Sequence, residues 1–220
     1  MERIAIGGSA ANPPHLGHVL LLSHLLEYGK FTKVIWVISG DRDDKQYDVT
    51  PDDRVAMTEM TVGQLRLKSE INCQLIIRYN DVYYKNTPTY TWIENLKKEF
   101  PGAEITWYTG SDSIVPIYDG KSEIETKWYR GKELLENEKF FIFPRDGFKL
   151  TDVFDYNEKL DKVPDYMPKD VTVYGVELPD FRSSEIRTLI KESKNFEHLL
   201  MPSVVNYIAT HKLYGYKGEI

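Results

Sequence analysis

Two histidines three residues apart, His15 and His18, sit in the segment "GGSAANPPHLGH" at residues 7–18. That spacing puts both imidazoles on one face of a helix's first turn. The residues ahead of them, Gly7, Gly8, Ser9, Ala10 and Ala11, are small enough to let backbone N–H groups approach a ligand closely. A helix N-terminus behind them favours negative charge, because its first N–H groups have no partner within the helix. Pro13 and Pro14 stiffen the entry and push the preceding residues toward extended backbone. Together these features suit phosphate oxygens. Two other readings stand beside that one: a metal pair, for which no third ligand is near in sequence, and ordinary surface histidines after a proline turn. Neither GxxxxGK[ST] nor a GxGxxG after the first strand is present, so the site follows neither familiar phosphate motif.

A site of this kind needs a strand that ends before it and a helix that starts after it. Apolar runs rich in β-branched residues predict strands at 3–7, 33–39, 72–78, 104–110, 139–145 and 170–176. Helical patterns fall between them at 17–29, 51–65 and 87–100. The second of these opens with Thr50 as N-cap and Pro51 at its first position. Strand–helix alternation at this spacing implies right-handed βαβ units and a parallel sheet covered on both faces. The reading is one doubly wound, Rossmann-like α/β domain over residues 1–220, with 146–169 as an irregular excursion and short helices in the C-terminal part, 183–214. In open sheets of this kind ligands bind beyond the carboxyl ends of the strands, where strand order reverses. The glycine- and histidine-bearing segment belongs there.

Composition narrows the field further. The net charge of −6 leaves no basic field for a nucleic-acid backbone, so a polyanionic ligand must be held by a local set of donors. The single cysteine, Cys73, excludes an internal disulfide and a cysteine-based zinc site, and its apolar neighbours place it in a buried strand. No basic segment followed by a long apolar run opens the chain, and no run approaches a membrane span, so a cytoplasmic protein without membrane partners is expected. The sequence leaves room for a homo-oligomer without pointing to one.

The segment 7–18 resembles the HxGH signature of the nucleotidyltransferase superfamily, in the GxFxPPHxGH form of nicotinate-nucleotide adenylyltransferases. Other segments agree in order. "NTPTYTWIENL" (86–96) resembles the PSYTxxTL segment, "YTGSDSI" (108–114) the GxDS segment, and "RSSEIRTLI" (182–190) the late SSTxIR motif. "TPDDRVAMTEM" (50–60) and "MPSVVNYIATHKLY" (201–214) match an Arg- and Met-bearing helix and the closing helix with its tail. The resemblance thus covers nearly the whole chain. It departs at Ala11-Asn12, where the family has Phe-Asp, and at Ala10, the family's hydroxyl position, with Ser9 one place earlier. Arg182 replaces the first serine of the late motif, and "DRDDKQYD" (41–48) replaces a PPHK-like segment, leaving Lys45 as its cation match.

The resemblance implies adenylyl transfer from ATP to nicotinate mononucleotide, giving deamido-NAD and pyrophosphate. By matching position, His15 and His18 would contact ATP phosphates, with Gly8, Ser9 and Ala10 lining the approach. Ser183 and Ser184 would hold the β- and γ-phosphates, and Arg187 the leaving pyrophosphate; His15, His18 and Arg187 form the catalytic set. Gly110 and Asp112 would shape the adenosine pocket. Lys45, Thr87, Thr89, Tyr90 and Trp128 would meet the acceptor, with Trp128 stacked on its pyridine ring, whereas Trp36 and Trp107 read as core. Mg²⁺ is implied, held mainly by ATP phosphates and water, with no dedicated metal ligands. The alternatives are nicotinamide mononucleotide or 4′-phosphopantetheine as acceptor, and a nucleotide-binding regulatory module that does not turn over.

Overall fold

The computed structural model describes residues 1–28, 30–42, 47–65, 71–116, 120–145, 167–176 and 178–218. Six strands are found among them: β1 (Arg3–Ser9), β2 (Lys33–Ile38), β3 (Gln74–Arg78), β4 (Glu104–Gly110), β5 (Lys139–Phe143) and β6 (Asp170–Val173). All pair in parallel, in the order β3-β2-β1-β4-β5-β6. The order reverses between β1 and β4, which makes the space beyond their carboxyl ends the switch point of the sheet.

Seven α-helices occur among the described residues: α1 (Leu16–Glu27), α2 (Pro51–Gly63), α3 (Thr89–Glu99), α4 (Glu123–Lys127), α5 (Gly131–Asn137), α6 (Ser183–Lys191) and α7 (Pro202–His211). Alternation of side chains along each strand divides the core between two faces. Ile35, Val37 and Trp107 pack with Ile93 and Leu96 of α3, Ile124 of α4 and Leu134 of α5. Val34, Trp36, Ile38 and Tyr108 pack with Leu22, Leu25 and Leu26 of α1. Because both faces are covered, the strands read as continuous apolar runs and not as alternating ones. A third cluster joins Met57 of α2, Ile186 and Ile190 of α6, and Val204 and Ile208 of α7.

The predicted elements are present with shifted ends. β1 runs two residues further than expected, to Ser9, because Gly8 and Ser9 continue the pairing with Val37 and Ile38. Cys73 precedes β3 and is half-buried, and burial pushes its thiol pKa up. The short helices α4 and α5 have no apolar period long enough to announce them. Of the expected excursion, residues 146–166 lie outside the described residues, as does Lys45.

α2 does more than cover the sheet. Its start is fixed as the sequence predicts: Thr50 Oγ1 accepts from the Asp53 N–H at 3.1 Å, and the Thr50 N–H donates to Asp53 Oδ2 at 3.0 Å. One turn in, Arg54 is fully buried. Its Nη1 donates to the carbonyl oxygens of Ala10 (3.0 Å) and Ser39 (2.7 Å), and its Nη2 to that of Val82 (3.2 Å). The guanidinium also lies 4.0 Å from the Tyr47 ring centroid. A single side chain therefore ties together the backbone just beyond β1, β2 and β3. Arg54→Met should lower the unfolding free energy by about 3 kcal/mol or more, since it leaves three carbonyls without a donor. Urea unfolding followed by circular dichroism measures this, and a midpoint equal to that of the wild type would contradict the tie.

Candidate functional site

A cavity of about 1030 Å³ opens over the carboxyl end of the sheet. It straddles the sheet edge, with Trp36 from the α1 face on one side and Trp107 from the α3 face on the other. At its centre the end of β1 meets the first turn of α1. Gly8, Ser9, Ala10, His15 and His18 line this part. Ser183, Ser184 and Arg187 reach it from α6, whose N-terminal end faces the same space.

α6 is anchored to the β1–α1 loop as well as to the cavity. Ser183 Oγ donates to the Pro13 carbonyl at 3.0 Å, and Arg187 Nη1 donates to the Asn12 carbonyl at 2.8 Å. The Arg187 Nε also pairs with Asp48 at 3.3 Å. The residue capping the helix is Arg182, not Ser183. Ser183 thus offers an anion its backbone N–H, while its hydroxyl proton is committed to the loop.

The His15 N–H donates to His18 Nδ1 at 3.1 Å. An imidazole that accepts at Nδ1 carries its proton on Nε2, so neutral His18 is a fixed donor. Its ring is stacked on Trp36, 5.3 Å between centroids. Burial pulls the His18 pKa down to about 3, with the Arg145 charge acting in the same direction. The His15 pKa is also held well below the usual histidine range, by burial first and then by His18 and Arg145. His15 Nδ1 is buried without a hydrogen-bond partner among the described residues.

Arg145, which sequence reasoning passed over, is the charged centre of the adjoining wall. Its Nη1 pairs with Asp112 Oδ2 at 3.0 Å, and its Nη2 with Asp180 Oδ1 at 3.1 Å and the Phe181 carbonyl at 3.0 Å. Asp180 in turn holds Arg182 at 2.7 Å. The loop after β4 is thereby joined to the start of α6. Gly110 leaves room for this pair: a Cβ would lie 2.3 Å from Asp112 Oδ1 and 2.6 Å from Arg145 Cδ, so a side chain there would push the two partners aside. A signal for Arg145 was available. It follows the buried strand "KFFIF" by two residues, and in a parallel sheet that position faces the ligand edge.

On the α3 side, Thr87, Thr89 and Trp128 line the cavity. Thr87 is held by the buried carboxylate of Asp81, which accepts from its N–H (2.8 Å), from its hydroxyl (2.7 Å) and from Trp92 Nε1 (3.1 Å). Trp128 meets Trp107 edge to face at 6.0 Å. Both Trp36 and Trp107, expected only as core, are buried and also form cavity wall. Tyr90 is different. It is not among the cavity-lining residues, and its ring packs on the Arg130 guanidinium at 4.0 Å and against Tyr129. Because Tyr90 follows Thr89 on a helix, its side chain leaves on another face. Arg42 and Lys85 also line the cavity, brought together by the parallel bridge between Asp41 and Lys85.

The chain matches the family model described as cytidylyltransferase-like over residues 6–189. It is 26% identical over 215 residues to a protein of Caldicellulosiruptor saccharolyticus named "Probable nicotinate-nucleotide adenylyltransferase", covering 96% of this chain and 98% of the relative. A Clostridium tetani protein of the same name is 26% identical over 216 residues, covering 97% and 100%. Among solved structures, nicotinic acid mononucleotide adenylyltransferase of Plasmodium falciparum complexed with NaAD superposes with a TM-score of 0.71. It is 20% identical, with both chains fully covered, and so bears on the fold.

The two neutral histidines set a pH dependence. The unfolded chain protonates both below about pH 6.5. The stability tied to the neutral rings is therefore complete above that pH and is lost as pH falls toward about 3, where folded His18 takes up its proton. An NMR titration of the free protein should leave His18 neutral from pH 8 down past pH 5. A His18 resonance titrating near pH 6.5 would contradict this assignment.

Proposed function

The chain belongs to the cytidylyltransferase-like family and is a nucleotidyltransferase, and from that premise we propose that it transfers the adenylyl group of ATP to the 5′-phosphate of nicotinate mononucleotide. The products are deamido-NAD and pyrophosphate. The observation that carries this reading is the cavity itself. The Nε2–H of neutral His18, the neighbouring His15 ring and two helix N-termini stand at its centre, a carboxylate beside Gly110 suits ribose hydroxyls, and an indole-walled recess lies across the sheet edge. The activity named for relatives that span the chain's length agrees with it.

In this mechanism an oxygen of the acceptor phosphate attacks the α-phosphorus of ATP in line. The bond to the α–β bridging oxygen breaks, and pyrophosphate leaves with its electron pair. No residue is covalently modified, so the protein acts by positioning and by stabilising charge. His18 Nε2–H donates to the α-phosphate as negative charge gathers there. His15 supports it and contacts the chain of phosphates. The backbone N–H groups of Ser183 and Ser184 meet the leaving end, and Arg187 brings a cation one turn further in. A bound triphosphate opposes the burial and the Arg145 charge that depress the His18 pKa, so binding raises it.

Mg²⁺ is read as part of the substrate, on phosphate oxygens and water. Asp112 lies in the cavity, but its carboxylate is committed to Arg145, which suits it to hydroxyl recognition better than to metal ligation. On the acceptor side, Trp128 supplies a face for the pyridine ring, and Thr87 and Thr89 supply polar groups near it.

A coupled pyrophosphate-release assay with ATP and each pyridine mononucleotide tests the reading. Release with nicotinate mononucleotide well above that with nicotinamide mononucleotide is the expected result. Faster release with the amide would reassign the acceptor, and release with neither would sink the proposal. In the same assay His18→Ala should lower kcat about a hundredfold, the range for losing a transition-state donor, with mononucleotide binding preserved.

A further inference from the structure

Ser9 closes β1 and lines the phosphate end of the cavity, where its neighbour Ala10 has no hydroxyl to offer. Trp36 Nε1–H donates to Ser9 Oγ at 3.0 Å. The same indole stacks on His18, 28° from parallel. Trp36 is 2% exposed and is held from behind by the core on the α1 face, so the indole is a rigid support. It therefore touches two groups of the phosphate site at once.

The chemistry of the contact has a direction. An indole N–H can only donate, whereas a serine hydroxyl has one hydrogen and two acceptor sites. By occupying one lone pair, Trp36 steers the Ser9 hydrogen away from itself. Among the described residues no acceptor is bonded to that hydrogen. That hydrogen is available to a ligand oxygen in the cavity that Ser9 and His18 both line, where the His15 backbone has set the His18 Nε2–H as a donor.

We propose that Trp36 is a positioning residue, one that presents the Ser9 hydroxyl as a preset donor to a triphosphate oxygen while holding the His18 ring beside it. This rests on the nucleotidyl-transfer reading for the identity of the ligand. The two donors converge on one part of the phosphate chain because one indole braces both. A tryptophan serving only the core would use Ser9 merely to satisfy its N–H.

The two roles separate by experiment. The probe is α,β-methylene-ATP, whose binding is measured by calorimetry without acceptor or turnover. Ser9→Ala should weaken binding about tenfold, the loss of one hydrogen bond to a charged group. Trp36→Phe keeps a ring against His18 and removes only the N–H, so it should weaken binding several-fold. In the Ser9→Ala background Trp36→Phe should add nothing, because the hydroxyl it orients is gone. In steady state each single variant should raise KM for ATP and leave KM for the mononucleotide unchanged. Wild-type affinity in Trp36→Phe, or additive losses in the double variant, would overturn the proposal. Should Trp36→Phe not fold, as judged by circular dichroism, wild-type affinity in Ser9→Ala overturns it alone. A protein that binds the analogue but releases no pyrophosphate with either mononucleotide loses the functional reading and still gives a clear result for Ser9 and Trp36.

Discussion

The site depends on a buried guanidinium whose hydrogen bonds, among the described residues, go to backbone carbonyls. Arg54 places its charge among three backbone carbonyls, those of Ala10, Ser39 and Val82, and over the face of Tyr47. Taking a cation out of water carries a large penalty, offset here by charge-assisted hydrogen bonds and the aromatic face. The gain is geometric. Ala10 and Ser39 directly follow β1 and β2, and Val82 stands in the loop after β3, where regular strand pairing gives way to isolated contacts. Without a common tie, the loops that carry the functional groups would be free to shift relative to one another.

A second tie works from the other end of the sequence. Ser183 and Arg187 bind the carbonyls of Pro13 and Asn12, and the hydroxyl of Tyr214 donates to Asn12 Oδ1 at 2.7 Å. The late helix and the tail thereby close on the β1–α1 loop. Arg145 completes the frame by linking Asp112 to the start of α6 through Asp180 and Phe181. Several of the polar contacts around the cavity serve to hold loops, not to wait for a ligand. This division explains why the hydroxyls of Ser183 and Thr87, read from the sequence as donors to substrate, are turned toward Pro13 and Asp81.

Much of this was legible in the chain before folding. The apolar runs of β1, β2, β4 and β5 are long, uninterrupted and flanked by breakers, so their identity as buried parallel strands was readable. The Thr50–Asp53 cap is a local device and was equally plain. What failed to show were features without a local period. α4 and α5 are one or two turns long and are stabilised by Ile124 and Leu134 reaching the shared core. Arg54 stands in a helix where a solvated charge would look the same. Arg145 could be placed at the sheet edge from the strand before it, but its pairing with Asp112 and Asp180 could not.

The sequence by itself determined the βαβ order, and with it that residues 7–18 lie beyond the carboxyl end of the first strand, because parallel pairing puts every strand-to-helix turn on that side of the sheet. The strand order that makes this the switch point came with the structure. It also determined which groups are available there: small residues, two histidines and a helix start. Only the tertiary structure decided what each group does. The protonation and tautomer of His18 follow from burial, a backbone N–H and a stacked indole; Ser9 Oγ accepts from a tryptophan on the neighbouring strand; and Tyr90 turns from the cavity to Arg130. These outcomes depend on contacts between residues far apart in the chain, whose electrostatic and packing energies exist only once the sheet has brought them together.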